Sequence, residues 1–462
     1  IFKGFTITNS DYKGIRVVGG SPKFVDLIVK NNTQSGVYVD GYWNTDYYPV
    51  VMRNVLIYSN GIEANGAGCG LYVNDATGLF LENVTFKKGD GGNSNLPLVY
   101  FHDVQGPTVY NNVYLINDNG TTGYATLRIQ QCDDFTLENL KIINSGYQNR
   151  QGGIEVKWCN NLQINNCSIV KNDSTVYWNN TSPQGIWIEQ SNNNAPISIN
   201  NCTISGFKRG IDVASHNNNQ LSINNSNITG NYFGLLNYNI QYFLDAENNW
   251  WGHSTGPYHP TSNTGGEGDS VNIYVDVIPF LTEPDTVAPP PIIQNVSVDT
   301  VGIDYVDIYW NASSIGDLAG YKVYLDNVLI DLSPDTSYTL SGLTLGQEYS
   351  VMVTCYDNGG EESWYSAELL VSPLSVAIIE VNDTLDYGVV LVGDSTGISL
   401  LVSNNGTVDL NITNITSSAS EFVPEINTLV VSPSSQGSIP IMFIPTGFGL
   451  VTANLTITSD AY

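Results

Sequence analysis

Basic residues are scarce in this sequence. Its 462 residues include 16 Lys and Arg against 44 Asp and Glu, which gives a formal net charge of −28. Because phosphate contact requires Lys and Arg, this balance excludes nucleic acid as a partner and disfavours anionic membrane surfaces. The partners that suit such a surface are neutral glycans, divalent cations and basic surfaces.

Long apolar runs are also missing. No segment is apolar over the length needed to cross a bilayer, and no signal peptide is recognisable. Residues 1–10 (IFKGFTITNS) already resemble an internal strand and turn, and residues 455–462 end just after a strand. We therefore expect a fragment of a longer bacterial protein, secreted or on the cell surface, whose export signal and anchor lie outside these residues.

The cysteines form no metal-binding or redox motif. Cys132 and Cys159 occupy equivalent places 27 residues apart in successive repeats, and Cys167 and Cys202 are likewise equivalent. Stacked buried thiols are the favoured interpretation because Cys is a small core residue, and disulfides remain the alternative.

A repeat dominates residues 1–252. A short strand written Gly-apolar-x-apolar begins at Gly14, Gly36, Gly70, Gly153, Gly185 and Gly210, with two degenerate copies around Tyr100 and Arg128. A second strand in each repeat carries Asn at positions 54, 83, 112, 139, 166, 201, 225 and 248. Self-similarity of this kind, with period-2 strands and no helical pattern, predicts an all-β solenoid.

Stacking explains why these residue types recur. One coil cannot bury its inward face, whereas stacked coils form a continuous apolar column. We expect the Asn side chains, among them Asn83 and Asn112, to stack inside one turn through mutual hydrogen bonds. We expect the glycines to supply the positive φ of a tight corner. The irregular spacing places longer loops, such as residues 41–49 and 171–184, on the outside.

These residues resemble the right-handed parallel β-helix superfamily, in the group that includes pectate-lyase-like and NosD-like carbohydrate-binding and hydrolysis domains. The segment Asn248-Asn249-Trp250-Trp251-Gly252, followed by Thr255-Gly256-Pro257 and Gly268-Asp269, is similar to the terminal coil of that group. The resemblance implies a β-helix over residues 1–282. It says little about activity, because one fold hosts many functions.

Two small β-sandwiches are predicted to follow a Pro-rich, extended linker at residues 282–291. Residues 288–373 resemble a fibronectin type III domain, with Trp310 in an early strand and Tyr349 as its tyrosine-corner residue. Residues 374–462 resemble an Ig-like choice-of-anchor D domain, through Asp386-Tyr387-Gly388 and Asn404-Asn405-Gly406. Neither domain contains a recognisable cluster of catalytic or metal-binding residues, so we expect both to act as spacers.

Two outward columns on the first strand of each coil collect the chemistry-bearing residues, because side chains that alternate with inward apolar ones point outward. The first column is Arg16, Tyr38, Tyr72, Tyr100, Arg128, Glu155, Trp187 and Asp212; the second is Val18, Asp40, Asn74, His102, Gln130, Lys157, Glu189 and Ala214. We predict a polysaccharide-binding groove formed by Tyr72, Tyr100, Arg128, Glu155 and Trp187. The alternative is a decorated sheet, in which Arg128 and Glu155 form an ordinary surface ion pair.

Catalysis on the same face is a second hypothesis. Glu155 and Glu189 could act as acid and base in glycoside hydrolysis, or Lys157 or His102 could abstract a proton from a uronate neutralised by Arg128, as in a lyase.

Calcium is the cofactor to consider, at Asp133 and Asp134, although a solvated turn is the more usual role of such a pair. His253 and His259 are expected in a loop. The Gly-His-Gly pattern of polygalacturonases is absent.

Three functions follow from these alternatives. The preferred one is an adhesin-like surface protein that binds an extended glycan, the second is a polysaccharide lyase or glycoside hydrolase, and the third is a structural stalk.

Overall fold

A computed structural model describes residues 1–41, 48–61, 68–88, 96–117, 125–144, 152–171, 183–189, 196–216, 220–313, 315–382 and 384–462. The regular structure in these ranges consists of β-strands without a helix, so the all-β prediction is confirmed. Among these residues no helix is suited to spanning a membrane. The loops predicted at 41–49 and 171–184 lie mostly outside the described residues.

The first face of the solenoid is a parallel ladder that follows the Gly-apolar-x-apolar repeat. Within the described residues its ten strands lie in Ile15–Val18, Val37–Asp40, Leu71–Lys87, Val99–Asn117, Leu127–Gln130, Ile154–Lys157, Gln184–Glu189, Arg209–Ser215, Phe233–Asn237 and Ser270–Val271. Each strand pairs in register with its equivalent in the next coil. The predicted parallel β-solenoid is therefore confirmed.

Two further parallel ladders complete the coils. The second face includes Phe2–Lys3, Thr6–Thr8, Lys23–Lys30, Tyr48–Tyr58, the later parts of Leu71–Lys87 and Val99–Asn117, Leu140–Asn144, Ser168–Val170, Thr203–Ser205 and Asn227–Thr229. The third face contains Thr136–Glu138, Leu162–Asn165, Ile197–Asn200, Leu221–Asn224, Leu244–Asp245 and Val275–Asp276. Inward side chains from the ladders form one apolar cluster extending from Ile15 to Val277.

The repeated glycines allow adjacent coils to pack closely and do not provide a left-handed backbone conformation at a corner. Gly153, Gly185 and Gly210 have no positive φ, which corrects the expectation. A Cβ on Gly185 would lie 2.4 Å from the carbonyl oxygen of Gly210 in the next coil. Only glycine allows the coils to approach this closely.

The Asn column is aligned as predicted, but its members lie at an outer corner instead of inside the turn. Asn83, Asn112 and Asn139 are exposed and, like Asn166, have φ between 51° and 56°. Asn112 Nδ2 donates to Asn83 Oδ1 over 3.0 Å. Because Asn tolerates the left-handed region better than other L residues, backbone conformation explains its recurrence more directly than the hydrogen bonds do.

All six cysteines are buried thiols in this structure. Burial raises the pKa of the Cys132 and Cys167 thiols, and each interacts with the equivalent thiol of the following coil. The stacked-thiol interpretation thus matches the geometry.

A sandwich of two antiparallel sheets follows the solenoid. One sheet contains Ser297–Val301, Tyr305–Tyr309 and Ser337–Ser341; the other contains Leu318–Leu325, Val328–Ser333, Tyr349–Asp357 and Leu369–Val371. Trp310 packs edge-on against Tyr321 in the core. The Tyr349 hydroxyl accepts the backbone N–H of Thr344 over 2.9 Å, as a tyrosine corner requires.

A second sandwich occupies the end of the chain. Its sheets contain Ile379–Val381, Thr396–Asn404, Phe422–Pro424 and Ser435–Phe443 on one side, and Leu410–Ser417, Leu429–Val431 and Leu455–Ser459 on the other. Its separate apolar core includes Val402, Ile412 and Ile439.

The segment predicted to be an extended linker is docked on the second face. The backbone C=O and N–H of Asp285 bond to the side chain of Asn227, and Thr203 Oγ1 donates to the backbone oxygen of Pro289. Hydrogen bonds to buried polar groups of the solenoid therefore hold this segment in place.

The first sandwich packs directly against the same face. Ile143 and Val170, which point away from the solenoid interior, form a buried cluster with Ile292 and Trp364. Lys141 Nζ also donates to the backbone oxygen of Glu362 over 2.9 Å. The sandwich thus covers part of the second face.

Candidate functional site

The structure places the predicted outward columns side by side on the first face. Arg16, Tyr38, Tyr72, Tyr100, Arg128, Glu155, Trp187 and Asp212 pair successively from coil to coil. The second column follows the same register until Glu189, which pairs with Ser215 across a β-bulge instead of with Ala214. The bulge shifts the column by one residue, and sequence spacing alone did not reveal it.

Aromatic side chains at the start of the first column lie against one another along the solenoid axis. The rings of Tyr38 and Tyr72 are stacked with centroids 4.8 Å apart, and Tyr72 meets Tyr100 edge-on at 5.1 Å. The Arg128 guanidinium lies 5.3 Å from the Tyr100 centroid. Neighbouring coils therefore cover ring faces of residues that we assigned to the polysaccharide-binding groove, and burial raises the pKa of both Tyr72 and Tyr100.

A network of charges continues the stack. Lys157 Nζ lies 3.4 Å from Glu155 Oε1 and 3.1 Å from Glu189 Oε2, and Arg128 Nε lies 3.7 Å from Glu155 Oε2. Lys157 also lies 4.8 Å from the Trp187 ring centroid. The Arg128 and Glu155 side chains are only 16% and 10% exposed, so the pair is not the ordinary surface ion pair considered above.

Second-column side chains hold His102 in a fixed position. Asn74 Nδ2 donates to Asp40 and Asp75, so its Oδ1 faces His102 Nδ1 at 2.5 Å. The Nδ1 atom must therefore carry the hydrogen in this contact. His102 Nε2 lies 2.9 Å from Gln131 Oε1, so each ring nitrogen has a side-chain hydrogen-bond partner.

The calcium candidates take part in hydrogen bonds between coils. Asp133 Oδ1 accepts from the side chain of Asn160 over 2.7 Å, and Asp134 Oδ1 accepts from Asn161 over 2.7 Å. No group of three or more His, Cys, Asp or Glu residues that could hold a metal occurs in the described ranges.

The two histidines near the terminal coil bond within their own loops. His253 contacts Thr255 and Glu267. His259 Nδ1 accepts backbone N–H groups of Thr261 and Ser262.

A polar cluster at the end of the first column was missed as a site. The carboxylate of Asp212 accepts hydrogen bonds from Gln184 and from Arg209, both at 2.6 Å. Burial raises the pKa of Asp212. The available signal was the placement of an acidic residue next to Trp187 in the column, but Gln184 and Arg209 lie outside the column residues and only the fold brings them there.

Family models match the two sandwiches. Residues 289–369 match the fibronectin type III domain, and residues 377–461 match the HYDIN/CFA65/VesB-like Ig-like domain. The fibronectin type III and Ig-like predictions are therefore confirmed. The family model that matches the Ig-like domain is the HYDIN/CFA65/VesB-like one.

Curated relatives are similar over part of their length. An α-amylase of Niallia circulans is 36% identical over 94 residues, which cover 19% of this chain and 7% of the relative. Chitinase Chi52 of Paenibacillus xylanexedens is 28% identical over 169 residues, which cover 35% of this chain and 29% of the relative. The chain thus spans less than a third of either protein.

Solved structures show only remote likeness. Chitinase ChiA74 from Bacillus thuringiensis is 19% identical, with 38% of this chain and 29% of that chain covered and a TM-score of 0.18. A two-domain fibronectin type III segment of chicken tenascin is 15% identical, with 36% and 98% covered and a TM-score of 0.21. Likeness at this level supports no argument about function.

Proposed function

We propose that the first face of the solenoid binds an extended neutral polysaccharide outside a bacterial cell, and that the outcome is adhesion. In this proposal residues 1–282 form the binding module, and residues 288–373 and 374–462 support it. The observation that carries the proposal is the contact network linking Tyr100, Arg128, Glu155, Lys157 and Trp187. Side chains fixed in this way lose little further conformational freedom when a ligand binds.

Charge supports a neutral ligand. Each carboxylate of the network lies beside a cation, since Lys157 contacts both Glu155 and Glu189. The whole chain, by contrast, has a formal charge of −28, which repels anionic polysaccharides at longer range. The partial matches to proteins named chitinase and α-amylase also fit glucose-type and N-acetylglucosamine-type polymers as test ligands.

The binding mode differs from stacking on open rings. Tyr72 is stacked on Tyr38, and the rings of Tyr100 and Trp187 each carry a cation nearby. We therefore propose that the sugar chain contacts ring edges and hydrogen-bonds to the charged groups between them. Several weak contacts along successive coils then add up to useful affinity.

Binding to chitohexaose, maltohexaose and cellohexaose, measured by calorimetry, tests the proposal. We expect one of these hexasaccharides to bind, and the Tyr100→Ala/Trp187→Ala double variant to bind it at least about tenfold more weakly. The matched control is Tyr305→Ala/Tyr309→Ala, which removes two exposed rings of the first sandwich. If the wild-type chain binds none of the three, the structural stalk is favoured. Equal affinity of the double variant would exclude this face.

Hydrolysis is the second candidate, because two carboxylates converge on one ammonium group. Glu155→Gln and Glu189→Gln distinguish the candidates when product release from the hexasaccharide is followed by chromatography. If the protein is a binder, both variants keep approximately the wild-type affinity, and neither they nor the wild-type chain release product. A hydrolase that uses these groups as acid and base loses turnover by orders of magnitude.

A further inference from the structure

The last coils of the first face contain an incompletely paired ion pair. Asp212 follows Trp187 in the outward column, and its side chain is only 2% exposed. Its Oδ2 atom accepts both Gln184 Nε2 and Arg209 Nη1 over 2.6 Å. A single carboxylate oxygen thus makes both hydrogen bonds.

One further polar atom on each side chain of this pair has no hydrogen-bond partner among the described residues. Within the described residues, Asp212 Oδ1 and Arg209 Nε are buried and make no hydrogen bond. Buried polar atoms are nearly always paired in folded proteins, since an unpaired one forfeits its hydration without compensation. An unpaired acceptor and an unpaired donor in the same ion pair therefore leave hydrogen-bonding capacity that a ligand group can use.

The cluster reaches the surface through Arg209 and the neighbouring Tyr238. The Arg209 side chain is 28% exposed, and its guanidinium lies 5.9 Å from the ring centroid of Tyr238. Tyr238 itself is 49% exposed. A shift of these two side chains would open the pair to a ligand lying along the column beside Trp187.

We propose that Asp212 and Arg209 bind a hydroxyl group of the neutral polysaccharide at this end of the face. The inference rests on the proposed function and adds a specificity-determining contact to it. A hydroxyl group can donate to Asp212 Oδ1 and accept from Arg209 Nε at the same time, whereas an amide N–H can only donate and a carboxylate can only accept. The ion pair carries no net charge, which again suits an uncharged sugar.

Two substitutions remove one of these contacts each. In Asp212→Asn the amide oxygen can still accept from Gln184 and Arg209, while its NH2 group replaces the free acceptor with a donor. Arg209→Lys keeps the positive charge and removes Nε. Asp26→Asn and Arg53→Lys make the same changes at exposed positions elsewhere on the solenoid and are the matched controls.

The test is calorimetric titration of the four variants and the wild-type chain with chitohexaose, maltohexaose and cellohexaose, alongside their melting temperatures. We expect Asp212→Asn and Arg209→Lys to lose affinity by about tenfold or more, as when a site that hydrogen-bonds a hydroxyl loses that contact, while both controls bind normally. If Asp212→Asn does not fold, Arg209→Lys alone decides.

Two other results would overturn the inference, and they are distinguishable. A wild-type chain that binds a hexasaccharide, with Asp212→Asn and Arg209→Lys binding it equally well, leaves the face as a binding site and removes this contact from it. A wild-type chain that binds none of the three removes the proposed function and this contact together.

Discussion

The solenoid and the two sandwiches differ most in how they distribute charge. Fifteen of the 16 Lys and Arg residues lie before residue 283, whereas the 44 acidic residues divide equally, with 22 on each side. Lys322 is the one basic residue after that position, and its Nζ lies 2.6 Å from Glu362 Oε2. Most of the net negative charge therefore belongs to the sandwiches.

Their construction explains why this difference matters. In a solenoid, equivalent residues of adjacent coils lie about 4.8 Å apart, so outward side chains meet the same column in the next coil. Arg128, Glu155 and Trp187 contact their neighbours for this reason. The sandwiches present a strongly acidic surface without such columns. Stacked repeats can thus preorganise a long polar face, whereas the acidic modules contribute a negative field that disfavours polyanions.

Docking of the first sandwich is the feature whose loss would change the molecule most. Val170→Asp places a carboxylate in the buried cluster with Ile143, Ile292 and Trp364, where an unpaired charge costs several kcal/mol. Because Val170 points away from the solenoid interior, we expect the sandwich to detach while both regions stay folded. Small-angle scattering should show a larger radius of gyration, and residues 282–291 should become sensitive to protease.

The control for this variant is Val328→Asp, at an exposed position of the same sandwich. An unchanged radius of gyration for Val170→Asp would mean that the two regions are held together by other contacts.

Close coil packing predicts a destabilisation confined to the solenoid. The Cβ of Gly185→Ala would meet the Gly210 carbonyl oxygen at 2.4 Å and Ile204 at 2.7 Å, so we expect a loss of about 1–3 kcal/mol by overpacking. Gly265→Ala is the control, since nothing lies within 4 Å of its Cβ position. Denaturant unfolding measures both, and equal stability of the two variants would contradict the packing argument.

The terminal coil predicts a pH dependence. The Asp269 carboxylate accepts hydrogen bonds from Asn231, and desolvation raises its pKa to about 8, above the value of about 4 in an unfolded chain. The folded state therefore retains a proton between these values. The associated stability is complete below about pH 4 and is lost as the pH rises through about 8.

Melting temperatures of the wild-type chain and Asp269→Asn between pH 5 and 9 check this dependence. We expect the wild-type value to fall by about 5 °C relative to the variant over that range. Parallel curves for the two proteins would show that Asp269 does not take up the proton.

The Asn column predicts the smallest effect and separates two explanations of the repeat. Asn83 has φ of 54° and donates a hydrogen bond to Asn54. If backbone conformation dominates, Asn83→Ala costs about 1 kcal/mol, and Asn83→Gly costs less because glycine adopts this φ freely. Equal losses for both variants in chemical denaturation would assign the role to the hydrogen bonds.

Several features could be predicted from the sequence because they depend on local or periodic patterns. The alternation of apolar and outward residues gave the register of the first face up to Glu189. The tyrosine corner at Tyr349 and the core position of Trp310 followed from the resemblance to fibronectin type III domains. The β-bulge after Ile188 could not be predicted, since one shifted residue leaves the repeat recognisable.

The sequence by itself determined the all-β architecture, the stacking of the coils and the two outward columns. These features arise because the same residue pattern recurs in successive coils. Only the tertiary structure decided which ring faces neighbouring coils cover, that the first sandwich packs against Ile143 and Val170, and that Gln184 and Arg209 converge on Asp212. Those contacts join residues on different coils or modules, and their geometry depends on side-chain packing that periodicity does not encode.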